Sequence, residues 1–309
     1  MMPARVFLPA LALASACAAR ADFTVAPGET WTPIASPAGT VRGSALDFRP
    51  FARSAAGRFN GVNLIFDACF PKTAADRDCL LDRIEELGFN AIRLHHCDDR
   101  LTAGYEADSR LFDELVAAAE RRGFALTFDL YCSRGVAWRA VGIDREGKMK
   151  PNVFKALVLT HPPALEDWKA FASNRMTRIN VATGVRYADD PAIPFLTLVN
   201  EGTFSMGWPD VCTVPEVASA WDLWRKAKGL PPREFGKLKM DDDELQTFAG
   251  ECERRVSAEQ IRYLRSLGVQ ARLSSANCRP HTQVKREVRR TLYDWVDNHR
   301  YVDPPKFPG

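Results

Sequence analysis

The feature that most constrains this chain is an alternation of short apolar runs with longer amphipathic ones, repeated along most of its 309 residues. "FNGVNLIF" (59–66) has the length and composition of a strand, and "DRDCLLDRIEELGF" after it carries Leu80, Leu81, Ile84 and Leu87 at helical spacing. The unit then repeats. "NAIRLHH" (90–96) is a predicted strand and "SRLFDELVAAAERRG" (109–123) a predicted helix closed by glycine. "FALTFDLY" (124–131) and "AIPFLTLV" (192–199) are the third and fourth predicted strands, with "ALEDWKAFASNRMTRINVATG" as the helix between them. Two further helices follow, "VPEVASAWDLWRKAKG" and "DDELQTFAGECERRVSAEQIRYLRSLG", then a fifth strand, "VQARLSSAN" (269–277), a basic helical stretch, and "LYDWVDNHRY" (292–301) as a sixth strand. Strands separated by helices imply parallel pairing through right-handed crossovers. The expected fold is α/β, a (β/α)8 barrel of which this chain supplies about six β/α units. A doubly wound sheet would announce itself with a glycine-rich first turn, and the sequence contains no G-x-G-x-x-G.

Several predicted strands end in polar residues. Arg93 and His95 close the second, Asp129 and Tyr131 the third, Asn200 and Glu201 the fourth, Asn277 the fifth, and His299 and Tyr301 the sixth. The carboxyl ends of the strands build the active face of a β/α barrel, so a polar cluster there has the placement a site requires. Residues two apart share a strand face, which lets Arg93 project with His95 and His299 with Tyr301. A carboxylate at the mouth of an apolar strand, as Glu201 is after "IPFLTLVN", is costly to desolvate unless something there uses it. Two long loops would lie on the same face: Ser133 to Pro163, with Trp138, and Gly202 to Pro215, with Phe204 and Trp208. An exposed tryptophan on such a loop commonly offers a flat apolar face to a sugar ring or another planar surface.

At the amino terminus, Arg5 precedes an apolar stretch from Val6 to Ala16, and Ala19-Arg20-Ala21 makes an A-x-A cleavage pattern. Residues 1–21 are therefore expected to be a secretory signal cleaved after Ala21, and the mature protein to be secreted or periplasmic. A lipoprotein anchored through Cys17 is the weaker alternative, because Ala14 stands where such signals prefer a larger aliphatic residue. The signal's apolar core is too short to span a bilayer, and no later stretch approaches that length. Residues 22–58 form a Pro/Gly-punctuated lead or small β appendage, and 59–309 the barrel domain. Removing the signal leaves 40 basic against 39 acidic residues, a balance that argues for no nucleic-acid partner and suits a small neutral one. The seven remaining cysteines are odd in number and scattered, which excludes a dense disulfide framework; Cys69 with Cys79 is the pair that spacing favours.

The segments "GFNAIRLHHCDD", "LTLVNEG", "LRSLGVQARLSSAN" and "YDWVDNHRYVDPPKFPG", in this order, resemble the glycoside hydrolases of clan A, in particular the cellulase-like family 5 group, over residues 59–309. The resemblance implies a secreted enzyme that hydrolyses O-glycosyl bonds of an oligosaccharide or polysaccharide with retention, without a cofactor. It makes Glu201 the general acid/base and Asn200 the residue that binds the sugar 2-hydroxyl. Arg93 becomes the arginine that orients the nucleophile, with Tyr301 as its partner, and His95 and His299 line the same subsite. The nucleophile in such enzymes is a glutamate at the end of the seventh strand, which places it beyond Gly309 and makes the chain a barrel truncated before that strand. Neither Asp297 nor Asp303 matches it.

Two rivals stand beside this expectation. A carbohydrate-binding relative without the nucleophile would keep the same polar rim and release no product. A metal-dependent hydrolase could use "HHCDD" (95–99), but adjacent residues on a strand point to opposite faces, so His95 and His96 are not expected to share one metal.

Overall fold

A computed structural model describes residues 59–102, 104–275 and 283–299. Five parallel strands, β1 (Gly61–Ile65), β2 (Ala91–His95), β3 (Ala125–Asp129), β4 (Phe195–Thr197) and β5 (Arg272–Ser274), pair in chain order. Helices α1 (Ala74–Glu86) and α2 (Glu106–Arg121) connect the first three strands. α3 (Pro151–Thr160) and α4 (Pro162–Thr177) precede β4, and α5 (Trp208–Val211), α6 (Pro215–Ala227) and α7 (Asp243–Ser266) precede β5. α8 (Gln283–Leu292) follows. This is the alternating parallel architecture expected of a partial β/α barrel, with β1 and β5 as the edges of the described sheet.

Local chemistry sets these boundaries. The Thr73 hydroxyl accepts the Asp76 N–H at 3.0 Å and opens α1, and the Asp242 carboxylate accepts the Glu244 and Leu245 N–H groups and opens α7. Gly88 and Gly123, with φ of 79° and 74°, end α1 and α2 in the left-handed conformation that lets the chain turn directly into the next strand. Alternation along β2 does the rest. Ile92 and Leu94 are buried against the helix layer, where Phe112 of α2 meets Phe128 of β3 at 6.2 Å, while Arg93 and His95 point to the opposite, inner face.

The structure departs from the sequence-based expectations in several places; the third predicted helix, for one, ends at Thr177 and does not run to Gly184. The stretch 133–163 is not one long loop, because Pro151 starts α3, and residues 153–159 are buried on all sides of that helix. The predicted sixth strand does not form among its described residues. Leu292 ends α8, and Tyr293 is buried with its hydroxyl on Ser257 and Glu253 of α7. Asp294 then occupies the edge of β5: its N–H donates to the Leu273 carbonyl and its carboxylate accepts the Leu273 N–H, at 3.0 and 2.9 Å. A side chain thus takes the ladder bond that a sixth strand would have used. Finally, Cys69 and Cys79 are both free thiols, because α1 turns Cys79 to solvent while Cys69 is buried with its thiol on the Leu64 carbonyl. The expected signal (1–21) and lead (22–58), Asn277 and Tyr301 lie outside the described residues. No helix among the described residues is long and apolar enough to cross a membrane.

Candidate active site

Parallel register assembles the site. Arg93 pairs with Thr127 and Leu94 with Phe128, which brings Asp129, the last residue of β3, alongside His95. Asp129 is buried, and its two oxygens divide their work: Oδ1 accepts Arg93 Nη2 at 2.7 Å and Oδ2 accepts His95 Nδ1. Burial pushes the Asp129 carboxyl upward, but the His95 hydrogen bond and the Arg93 charge outweigh it and hold the group below the usual aspartate range.

The same guanidinium reaches two further segments, the loop after β4 and the one after α8. Nη2 donates to Asn200 Oδ1 at 3.0 Å, and Nη1 donates to His299 Nε2 at 2.9 Å. Arginine has only donors, so His299 Nε2 must be the accepting nitrogen and the ring proton sits on Nδ1, 3.0 Å from Glu201 Oε1. The same logic orients Asn200: with Oδ1 on Arg93, its Nδ2 donates to Cys132 Sγ at 3.4 Å. One hydrogen-bonded chain therefore runs from His95 through Asp129, Arg93 and His299 to Glu201. Although residues 293–299 form no strand, Trp295 packs on Phe195 of β4 at 5.3 Å, and His299 arrives four residues later at Glu201.

Glu201 has φ of 50°, a left-handed conformation that costs a non-glycine residue roughly 1 kcal/mol or more. His96, directly after β2, and Phe66, directly after β1, share it with φ of 51° and 49°. Strained backbone at three strand ends on the carboxyl side of one sheet is a pattern found where side chains are re-aimed for function. The His299 hydrogen bond, against the opposing effect of burial, holds the Glu201 carboxyl below the usual glutamate value of 4.5. The folded-state pKa is lower than the unfolded one, so this contribution to stability is present above about pH 4.5 and is lost as pH falls through the folded value. The melting-temperature difference between wild type and Glu201→Gln is therefore expected to shrink on acidification below that pH. A difference that stays constant from pH 7 into the acid range would contradict the His299 contact.

The "HHCDD" run has a structural explanation for three of its members. Cys97 is buried in the core. The Asp98 carboxylate, also buried, accepts the N–H groups of Cys132, Ser133 and Arg134 at 2.8, 3.0 and 2.8 Å, and Asp99 accepts Gly135 N–H at 2.9 Å. Together they shape the turn after β3. Asp98→Ala would strand three backbone donors and is expected to lower unfolding free energy by about 2–3 kcal/mol, read from the urea midpoint. The two histidines correct the expectation from strand alternation. Because His96 turns into the left-handed region, its ring swings to the side of His95 and the two centroids lie 4.2 Å apart.

The tryptophan expectations also change. Trp138 is 8% exposed, with the Arg145 guanidinium 4.1 Å over its ring, and anchors its own loop. Trp208 is half-buried, edge-on to Phe235 at 5.1 Å and packed on the core, so it too secures a loop rather than standing free as a sugar platform. The exposed ring beside the site is instead Phe66, 55% exposed and stacked on His96 at 5.0 Å. Of the residues expected here, the structure brings together Arg93, His95, Asn200, Glu201 and His299. Cys132 was not singled out by the sequence, and Asp129 was named there only as a polar strand end without a role; its register beside Arg93 and His95 supplies one.

No protein-family model matches the chain, and none of the curated proteins is similar to it. Among solved structures it is similar to an endo-β-1,4-mannanase from Thermotoga petrophila, at 17% identity and a TM-score of 0.44, over 71% of this chain and 42% of that one. The hyperthermostable endo-1,4-β-D-mannanase from Thermotoga petrophila RKU-1 matches at 16% identity and a TM-score of 0.46, over 78% and 63% of the two chains. An endo-1,4-β-mannanase from Rhizomucor miehei matches at 15% identity and a TM-score of 0.43, over 71% and 56%. The match thus spans between 42% and 63% of the length of these three proteins. At such values the residues of the site itself carry the functional argument.

Proposed function

We propose that this protein is an exported glycoside hydrolase of the retaining type, with Glu201 as its acid/base and Arg93, His95, Asn200 and His299 as the groups that hold a sugar beside it. The observation that carries this reading is the hydrogen-bonded chain joining three strand ends, His95–Asp129–Arg93–His299–Glu201, with Asn200 attached to Arg93. A fixed cation and several oriented donors beside one carboxylate suit a substrate rich in hydroxyl groups. The order of the sequence segments that resemble family 5 hydrolases supports the same reading.

Glu201 can protonate a leaving glycosidic oxygen only if its carboxyl holds a proton near neutral pH. In the resting arrangement His299 does the opposite. A second carboxylate about 5–5.5 Å away, as a retaining reaction requires, would supply the like charge that raises it. We assign that carboxylate to a residue outside those described. The depressed Glu201 favours one alternative, a protein that binds oligosaccharide through the same groups and releases no product. Titration calorimetry of the full chain with β-linked gluco-, manno- and galacto-oligosaccharides, paired with NMR detection of the anomer first released, separates the two. Binding with retained-anomer product supports the hydrolase, and binding without product supports the alternative. Absence of binding to every member of the panel would overturn both.

A further inference from the structure

We propose that His95, His96 and Cys132 form a binding site for one divalent transition-metal ion of borderline softness, of which zinc is the type. This site shares His95 with the proposed sugar-binding groups but does not need the carbohydrate reading, and it rests on geometry that strand alternation alone would forbid. One donor atom from each residue, two imidazole nitrogens and the thiol sulfur, lies within 4.8 Å of the other two. Cys132 Sγ is 3.4 Å from His96 Nδ1 and 3.8 Å from His95 Nε2. Zinc bonds of about 2.0–2.1 Å to nitrogen and 2.3 Å to sulfur place tetrahedral ligands roughly 3.3–3.6 Å apart; the two sulfur–nitrogen distances are near this range, and the histidine nitrogens, within 4.8 Å of each other, draw together on the ion. A mixed nitrogen and sulfur donor set selects zinc, cobalt or copper over magnesium and calcium.

Each ligand is held by a second contact. Asp129 accepts from His95 Nδ1, which fixes the tautomer and leaves Nε2 as the donor to a metal, the carboxylate–histidine arrangement common behind metal ligands. Cys132 is 2% exposed, and its backbone is pinned by the Asp98 carboxylate, while Asn200 Nδ2 donates to its sulfur at 3.4 Å. His96 is locked in a left-handed backbone conformation that a histidine adopts only at a cost, and that conformation is what turns its ring toward the other two. Ser133 Oγ, 2.9 Å from His96 Nδ1, is the partner that nitrogen exchanges for the ion. A cavity of about 560 Å³ lined by Phe66, His96, Ser133 and Lys148 opens beside His96. Binding releases the thiol proton to water as the Cys132 sulfur takes the metal, and three protein ligands leave a fourth position for water or a substrate atom.

Cobalt(II) titration of the metal-stripped full chain, followed in the near-ultraviolet and visible, tests the site. The expected result is one equivalent bound, displaced by zinc, with a thiolate-to-cobalt absorption. Cys132→Ser should remove that band, and His96→Gln should weaken cobalt binding by at least about tenfold. Cys79→Ser, which alters the exposed thiol of α1, should bind as wild type does. No cobalt uptake by the wild type, a charge-transfer band that survives Cys132→Ser, or unchanged affinity in His96→Gln would each overturn the proposal. If Cys132→Ser does not fold, the wild-type titration and His96→Gln still decide it. None of these readouts depends on glycosidase activity or sugar binding.

Discussion

Arg93→Ala is expected to cost about 3–5 kcal/mol of unfolding free energy, more than any other single change at the site. The guanidinium donates to Asp129, Asn200 and His299 together. Burial by itself would weaken its charge, yet Asp129 more than compensates and the pair stays ionised. Alanine removes the cation and leaves the Asp129 carboxylate buried, with His95 as its remaining side-chain partner among the described residues. It also leaves the Asn200 carbonyl and His299 Nε2 without the donor they now share. Lysine would restore a charge but not the planar fork that reaches three acceptors, so Arg93→Lys should recover only part of the loss. Urea unfolding at neutral pH measures both variants. A loss below about 1 kcal/mol for alanine would mean that water enters and solvates Asp129, and that the site is far less rigid than its contacts imply.

On the proposed hydrolase reading, Glu201→Gln is expected to lower the rate of glycoside hydrolysis by about 10²- to 10⁴-fold while changing stability at pH 7 by less than about 1 kcal/mol. The substitution keeps the shape of the side chain and an acceptor for His299 Nδ1–H, and removes only the ability to give and take a proton. Loss should therefore fall on kcat, with sugar binding retained. If the variant hydrolyses as well as wild type, Glu201 is not the acid/base. If both proteins bind sugar equally and neither releases product, the chain is a binding protein.

The strand–helix order, the parallel sheet and the identity of most polar strand ends were legible in the sequence, because hydrophobic period and strand-end position are local properties. β1 to β5 all fall inside the expected runs, and Arg93, His95, Asn200 and Glu201 all belong to the strand ends that were singled out. What stayed hidden depended on partners distant in the chain. Whether 292–301 could pair as a strand turned on Asp294, whose carboxylate caps Leu273 across the fold, and whether Trp138 or Trp208 stood free turned on Arg145 and Phe235.

The sequence by itself determined a parallel β/α sheet with a polar carboxyl edge centred on Arg93 and Glu201. Only the tertiary structure decided what that edge is built from. Asp129 became its anchor through the β2–β3 register, and His299 reached Glu201 without a strand to carry it. His96 joined His95 and Cys132 because one residue entered the left-handed region. Alternation along an ideal strand predicts which face a side chain takes. It does not foresee a backbone torsion whose local cost is repaid by contacts made elsewhere in the fold.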